Sequence, residues 1–219
     1  MDEPMPVLTI ASSKGGCGKT TIATCLAAAL AGEGLDVGLL DADPNGGAHR
    51  WAMSTYTGPK VASYAEPDKD RLADLLPVLA DRHAMLIADT AGFGNLAATI
   101  CMVGADAILI PVSPGEGDVV EARKTVGFIE GLARTARRPI PARIVPNRIR
   151  RGTTLSRHTL SEIEALSLPR LQTALSEAVA YGELGFSGAI PIAGTAAAEI
   201  AALVAELRSY GWLPAYVNA

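Results

Sequence analysis

At 219 residues, with 49% apolar but only 5% aromatic side chains, the chain suits one domain over residues 1–219 with a full core. A formal charge of −4 excludes a surface that is basic throughout, and no apolar run reaches the ~20 residues that cross a bilayer. Cys17, Cys25 and Cys101 are scattered without metal-ligand spacing, and the acidic Met1-Asp2-Glu3-Pro4 start lacks a signal-peptide pattern, so a cytoplasmic location is expected.

Val7-Leu8-Thr9-Ile10-Ala11 is a continuous apolar run, the pattern of a strand covered on both faces. It enters the loop Ser13-Lys14-Gly15-Gly16-Cys17-Gly18-Lys19-Thr20-Thr21, and a helix follows from Thr20 to Ala31, ended near Gly32 and Gly34. Val37-Gly38-Leu39-Leu40-Asp41 is a second strand, and a short helix is expected over Ala48 to Met53. Val61-Ala62-Ser63 suits a short strand, and Leu72, Leu75, Leu76 and Leu79 share one face of a helix. Met85 to Asp89, Ala107 to Val112 and Arg143 to Asn147 read as further strands, with a helix over Asp118 to Leu132. Beyond them the pattern predicts helices over Arg157 to Glu164 and Gln172 to Val179, a short buried segment Gly188-Ala189-Ile190-Pro191, and a closing helix over Ala196 to Tyr210. Strands alternating with helices predict an α/β architecture, a mostly parallel twisted sheet with helices on both faces, and the glycine-rich loop after its first strand makes it a three-layer P-loop NTPase fold by expectation.

Strand, glycine-rich loop and helix form the context of a phosphate site. Gly15, Gly16 and Gly18 let successive N–H groups point into one concavity, and the helix start adds partial positive charge. Lys19 would reach the outer phosphates of a nucleoside triphosphate, and Thr20 would offer its hydroxyl to magnesium. In parallel sheets ligands lie beyond the carboxyl ends of the strands, where Asp41, Asp43 and Asp89 fall. Asp89 suits a magnesium-associated carboxylate, and the two-residue spacing of Asp41 and Asp43 places both within reach of the phosphates. Asp43 is the candidate for orienting a hydrolytic water; as a turn residue before Pro44 it also suits a helix cap.

The loop opens with Ser13, so the strict pattern G-x-x-x-x-G-K-[ST] fails, and a second lysine, Lys14, stands near its start. In Lys14-Gly15-Gly16-Cys17-Gly18-Lys19-Thr20-Thr21 the chain resembles the ParA/MinD superfamily of deviant Walker A ATPases. Asp41-Ala42-Asp43-Pro44-Asn45-Gly46 resembles that group's D-x-D-P-Q-G segment, and Ile87 to Gly92 its Walker B region. Small size and Trp51 make the chain most similar to compact ParA-type, ParF-like partition proteins. The resemblance implies ATP and Mg2+ as cofactors and an ATP-dependent homodimer in which Lys14 touches phosphates bound by the partner subunit. It makes Asp43 the hydrolysis-linked aspartate and assigns Thr20, Asp41 and Asp89 to the metal. It places Cys17 and Thr21 on the phosphates, with Asn147 and Pro191 on the adenine. Asn45 stands where the group has Gln, and Ala91-Gly92 where Pro-Pro is frequent.

Eight arginines lie between Gly131 and Ser161 without an Asp or Glu among them. Arg148, Arg150, Arg151 and Arg157, near a strand end, are the candidates for non-specific DNA contact, while Arg134, Arg137 and Arg138 suit a helix C-terminus. The resemblance then implies a DNA-segregation ATPase, nucleoid-associated in its ATP state, whose hydrolysis is prompted by a centromere-binding adaptor protein. The alternatives are a positioning ATPase for another cytoplasmic cargo and a metabolic P-loop ATPase or ligase. A membrane partner is not expected, because the tail from Leu203 to Ala219 carries Arg208 as its one Arg or Lys.

Overall fold

The four central strands of the sheet are buried on both faces, and this is what lets helices cover the sheet from two sides. The computed structural model describes residues 6–92 and 94–215. Its first half runs β1 (Val7–Ile10), α1 (Lys19–Gly32), β2 (Val37–Asp41), α2 (Gly47–Ser54), β3 (Ala62–Ala65), α3 (Lys69–Arg82) and β4 (Met85–Asp89). The second half runs α4 (Leu96–Gly104), β5 (Ala107–Val112), α5 (Glu116–Ala136), β6 (Ala142–Pro146), α6 (Thr154–Ala165), α7 (Val179–Ser187) and α8 (Gly194–Ser209). The six strands form one sheet in the order β3-β2-β4-β1-β5-β6, and every pairing is parallel.

Successive residues of a strand serve opposite layers. In β1, Leu8 and Ile10 pack with Leu26 and Leu30 of α1, Trp51 of α2, Leu184 of α7 and Leu203 of α8. Val7, on the other face, packs with Leu72, Leu76 and Leu79 of α3 and Cys101 of α4. Further along that second face, Ile108 and Ile144 meet Val119 and Ile129 of α5 and Ile163 of α6. Three layers result. Each fully buried leucine or isoleucine contributes about 1.5–3 kcal/mol, so the two helical layers hold the strand ends in fixed register.

Some elements depart from the sequence pattern. The expected helix over Gln172 to Val179 is absent. Leu171 N–H donates to Ile144 O and Leu175 N–H to Pro146 O, so this stretch is extended along the outer edge of β6. The Glu206 carboxylate accepts the N–H groups of Gln172 and Thr173, and Glu199 accepts that of Ser176. These carboxylates take donors that a helix would need. Helix formation shifts to α7, whose Leu184 carbonyl accepts the Trp51 indole N–H at 3.0 Å. Of the segment predicted as buried, only Gly188 is buried, and Ile192 just beyond it is 91% exposed.

Candidate functional site

The carboxyl ends of β1, β2 and β4 converge on the loop between β1 and α1. Gly16 and Gly18 have φ of 74° and 97°, the left-handed region open to glycine, and this curls the loop around a concavity. The first helical bond onto the loop is Ile22 N–H to Gly18 O at 3.0 Å, so the earlier N–H groups of α1 face outward. Gly15, Gly16, Gly18, Lys19, Thr20 and Thr21 line a polar pocket of about 570 Å³ together with Asp43, Asn45, Ala91, Gly92 and Arg148. Backbone and lysine donors with the Asp43 carboxylate in one pocket suit a magnesium polyphosphate.

Lys19 is buried, and its ammonium donates to the Lys14 carbonyl at 3.0 Å. Thr20 donates its hydroxyl to Asp89 Oδ2 at 2.6 Å. Asp89 Oδ1 is buried and has no hydrogen-bond partner among the described residues. Burial pushes the Asp89 carboxyl up to about 7; the Thr20 hydroxyl opposes the shift, and the neighbouring Asp41 adds to it. An unpartnered carboxylate oxygen beside a threonine hydroxyl fits a hard divalent cation, which would supply the missing positive charge.

The other predicted side chains divide between the pocket and its support. Asp43 faces the pocket, and its Oδ1 accepts both the backbone N–H and the side-chain amide of Asn45 at 2.9 Å. Asn45, standing where the resembling group has Gln, thereby fixes the Asp43 rotamer. Asp41, expected within reach of the phosphates, is not among the residues lining the pocket. It is fully buried, and its two oxygens accept the N–H groups of Asp43 and His49 at 3.0 and 2.9 Å. Burial raises its pKa against those hydrogen bonds, and its place is behind the turn that carries Asp43. Asn147, expected on a base, donates its amide to Cys17 O at 2.7 Å and clamps the phosphate loop to the end of β6. Cys17 is buried, with its thiol on the Lys14 carbonyl. Pro191 is half-buried in the segment after α7 and is not among the residues lining the pocket.

Lys14 lies outside the pocket lining, because its ammonium pairs with Asp118 on the first turns of α5 at 2.5 Å. Asp118 is the partner that sequence reasoning missed; nothing distinguishes it from a helix-start aspartate until the fold brings residues 104 positions apart together. The arginines expected to share one surface also separate. Arg148 lines the pocket, Arg150 pairs with Glu177, Arg151 lies beside a second hollow with Glu199, and Arg157 is exposed on α6. Arg138 donates to the carbonyls of Val103 and Ala105, capping the end of α4.

Residues 8–192 match the CobQ/CobB/MinD/ParA nucleotide binding domain. Over 179 residues the chain is 33% identical to maintenance of carboxysome distribution protein A of Halothiobacillus neapolitanus, covering 80% of this chain and 81% of that one. It is 30% identical over 125 residues to protein ParA of Rhizobium radiobacter, covering 57% and 56%. The fold superposes on the ATP complex of a Cyanothece McdA variant with a TM-score of 0.80 at 17% identity, covering 99% and 100%. Domain match, relatives and the geometry of the phosphate loop agree: the chain belongs to the CobQ/CobB/MinD/ParA family of P-loop nucleotide-binding proteins.

Proposed function

We propose that this chain is a ParA/MinD-type positioning ATPase that uses ATP and magnesium to distribute a large cytoplasmic cargo over DNA. The observation that carries this reading is the similarity to a carboxysome distribution protein along 80% of the chain, laid over an intact phosphate loop. Lys19 and the N–H groups of Gly15 to Thr21 neutralise the phosphates. Thr20 and Asp89 would hold the cation, which would supply positive charge against the outer phosphates. Asp43, steadied by Asn45 and backed by Asp41, orients the attacking water and accepts its proton. Lys14, exchanged from Asp118 to the partner subunit's nucleotide, completes an ATP-dependent homodimer. Exposed Arg151 and Arg157, doubled in that dimer, meet bulk DNA without sequence preference, and an adaptor on the cargo stimulates turnover.

A plasmid-partition role with a centromere-binding adaptor is the second reading, favoured by the ParA relative. Two measurements test them. DNA co-sedimentation across a salt series, with no nucleotide, ADP or a slowly hydrolysed ATP analogue, is expected to show binding only with the analogue and lost as salt rises. Binding in none of these states, with ATP bound, removes DNA from the mechanism. Deleting the gene in its host is expected to cluster a cytoplasmic body while plasmids are retained; plasmid loss with normally spaced bodies selects partition.

A further inference from the structure

Arg148 is set differently from the other arginines of its segment. Asn147 before it is fixed twice, by its N–H on Val112 O at 2.8 Å and by its amide on the Cys17 carbonyl. Ile149 after it is buried, with its N–H on Leu175 O at 2.9 Å. Between these anchors Arg148 has φ of 55°, a left-handed conformation that costs a side-chain-bearing residue roughly 1–2 kcal/mol. The other two such residues, Arg137 and Ser167, lie just past the ends of α5 and α6, where this conformation is common. At Arg148 no helix ends, and the side chain lines the pocket beside Gly16, Gly18 and Thr21.

Its charge is also uncommitted. Arg150 is held by Glu177, Arg143 stacks on the Tyr210 ring at 4.0 Å, and Arg138 caps backbone carbonyls. For Arg148 no hydrogen bond or ion pair is found among the described residues. The pocket is short of such charge: Lys14 is turned onto Asp118, Lys19 is the other cation lining it, and Asp43 adds a negative charge.

We infer that Arg148 is a nucleotide-binding residue that holds the polyphosphate together with Lys19 and does not belong to the DNA surface. A guanidinium offers paired donors to phosphate oxygens, and a hydrogen bond to a charged group is stronger than a neutral one. The inference rests on the nucleotide reading of the site above.

The test compares wild type with Arg148→Asn, which removes the charge but tolerates the left-handed backbone, and Arg148→Lys, which keeps the charge. Calorimetric titration with Mg-ATP, Mg-ADP and AMP is expected to show ATP affinity weakened about tenfold to hundredfold in the Asn variant. ADP should weaken less, AMP little, and the Lys variant should recover part of the loss. Unchanged ATP and ADP affinities in Arg148→Asn overturn the inference, as does an equal loss for all three nucleotides. Loss of DNA binding by that variant at unchanged ATP affinity returns Arg148 to the DNA surface. A wild-type protein that takes up no ATP refutes the nucleotide reading itself, a result distinct from any of these.

Discussion

A Cβ built on Gly18 would lie 2.2 Å from the Asn147 amide nitrogen, on a backbone with φ of 97°, so sterics and conformation both select glycine there. Gly18→Ala is expected to cost about 2–4 kcal/mol in urea unfolding and to abolish ATP binding. Adding Asn147→Ala should recover part of the stability, because the clash goes with the amide; a double variant no more stable than Gly18→Ala assigns the whole cost to the backbone angle. Asp118→Asn makes a contrasting case. Lys14 is 46% exposed, so losing its ion pair should change stability by about 1 kcal/mol or less, read as a small shift of the urea midpoint. A loss above ~3 kcal/mol would make the pair part of the core. At this scale Lys19, Thr20 and Asp89 were legible, because a phosphate loop and a strand-end carboxylate are local patterns. Asp118, and the turn of Arg148 into the pocket, were not, since each depends on a tertiary contact or a single backbone angle.

Among the elements, strands were easier to read than the segments after β6. Continuous apolar runs in Met85–Asp89 and Ala107–Val112 leave one interpretation, and both strands have the expected bounds. Leu171, Ala174, Leu175 and Ala178 follow helical spacing, yet their segment is extended, because β6 and two carboxylates compete for its N–H groups. The α7 helix that replaces it is held by the Trp51 indole on Leu184 and by the Tyr181 hydroxyl on Glu199. Trp51→Phe keeps the ring but leaves the Leu184 carbonyl without that donor, at an expected cost of about 1–3 kcal/mol. Amide hydrogen exchange should then quicken in α7 ahead of β1 and β4; uniform quickening across the chain would show that Trp51 supports the whole core and not this helix.

For the molecule as a whole, alternation of strand and helix gave the layers, and the strand-end rule pointed to the rim of the sheet where the candidate pocket lies. The strand order was beyond it, because parallel pairing is set by crossovers that leave no local mark. That order has a consequence for assembly. The outer edge of β6 is already occupied by the chain around Arg170 to Ser176, whereas β3 pairs with β2 alone among the described strands. Growth of a fibre by sheet extension needs an open edge at each end of every unit. Among the described residues this molecule offers one, and two β3 strands that meet close on each other as a pair. Sheet extension through the described strands would therefore join two molecules, through paired β3 edges, and no more.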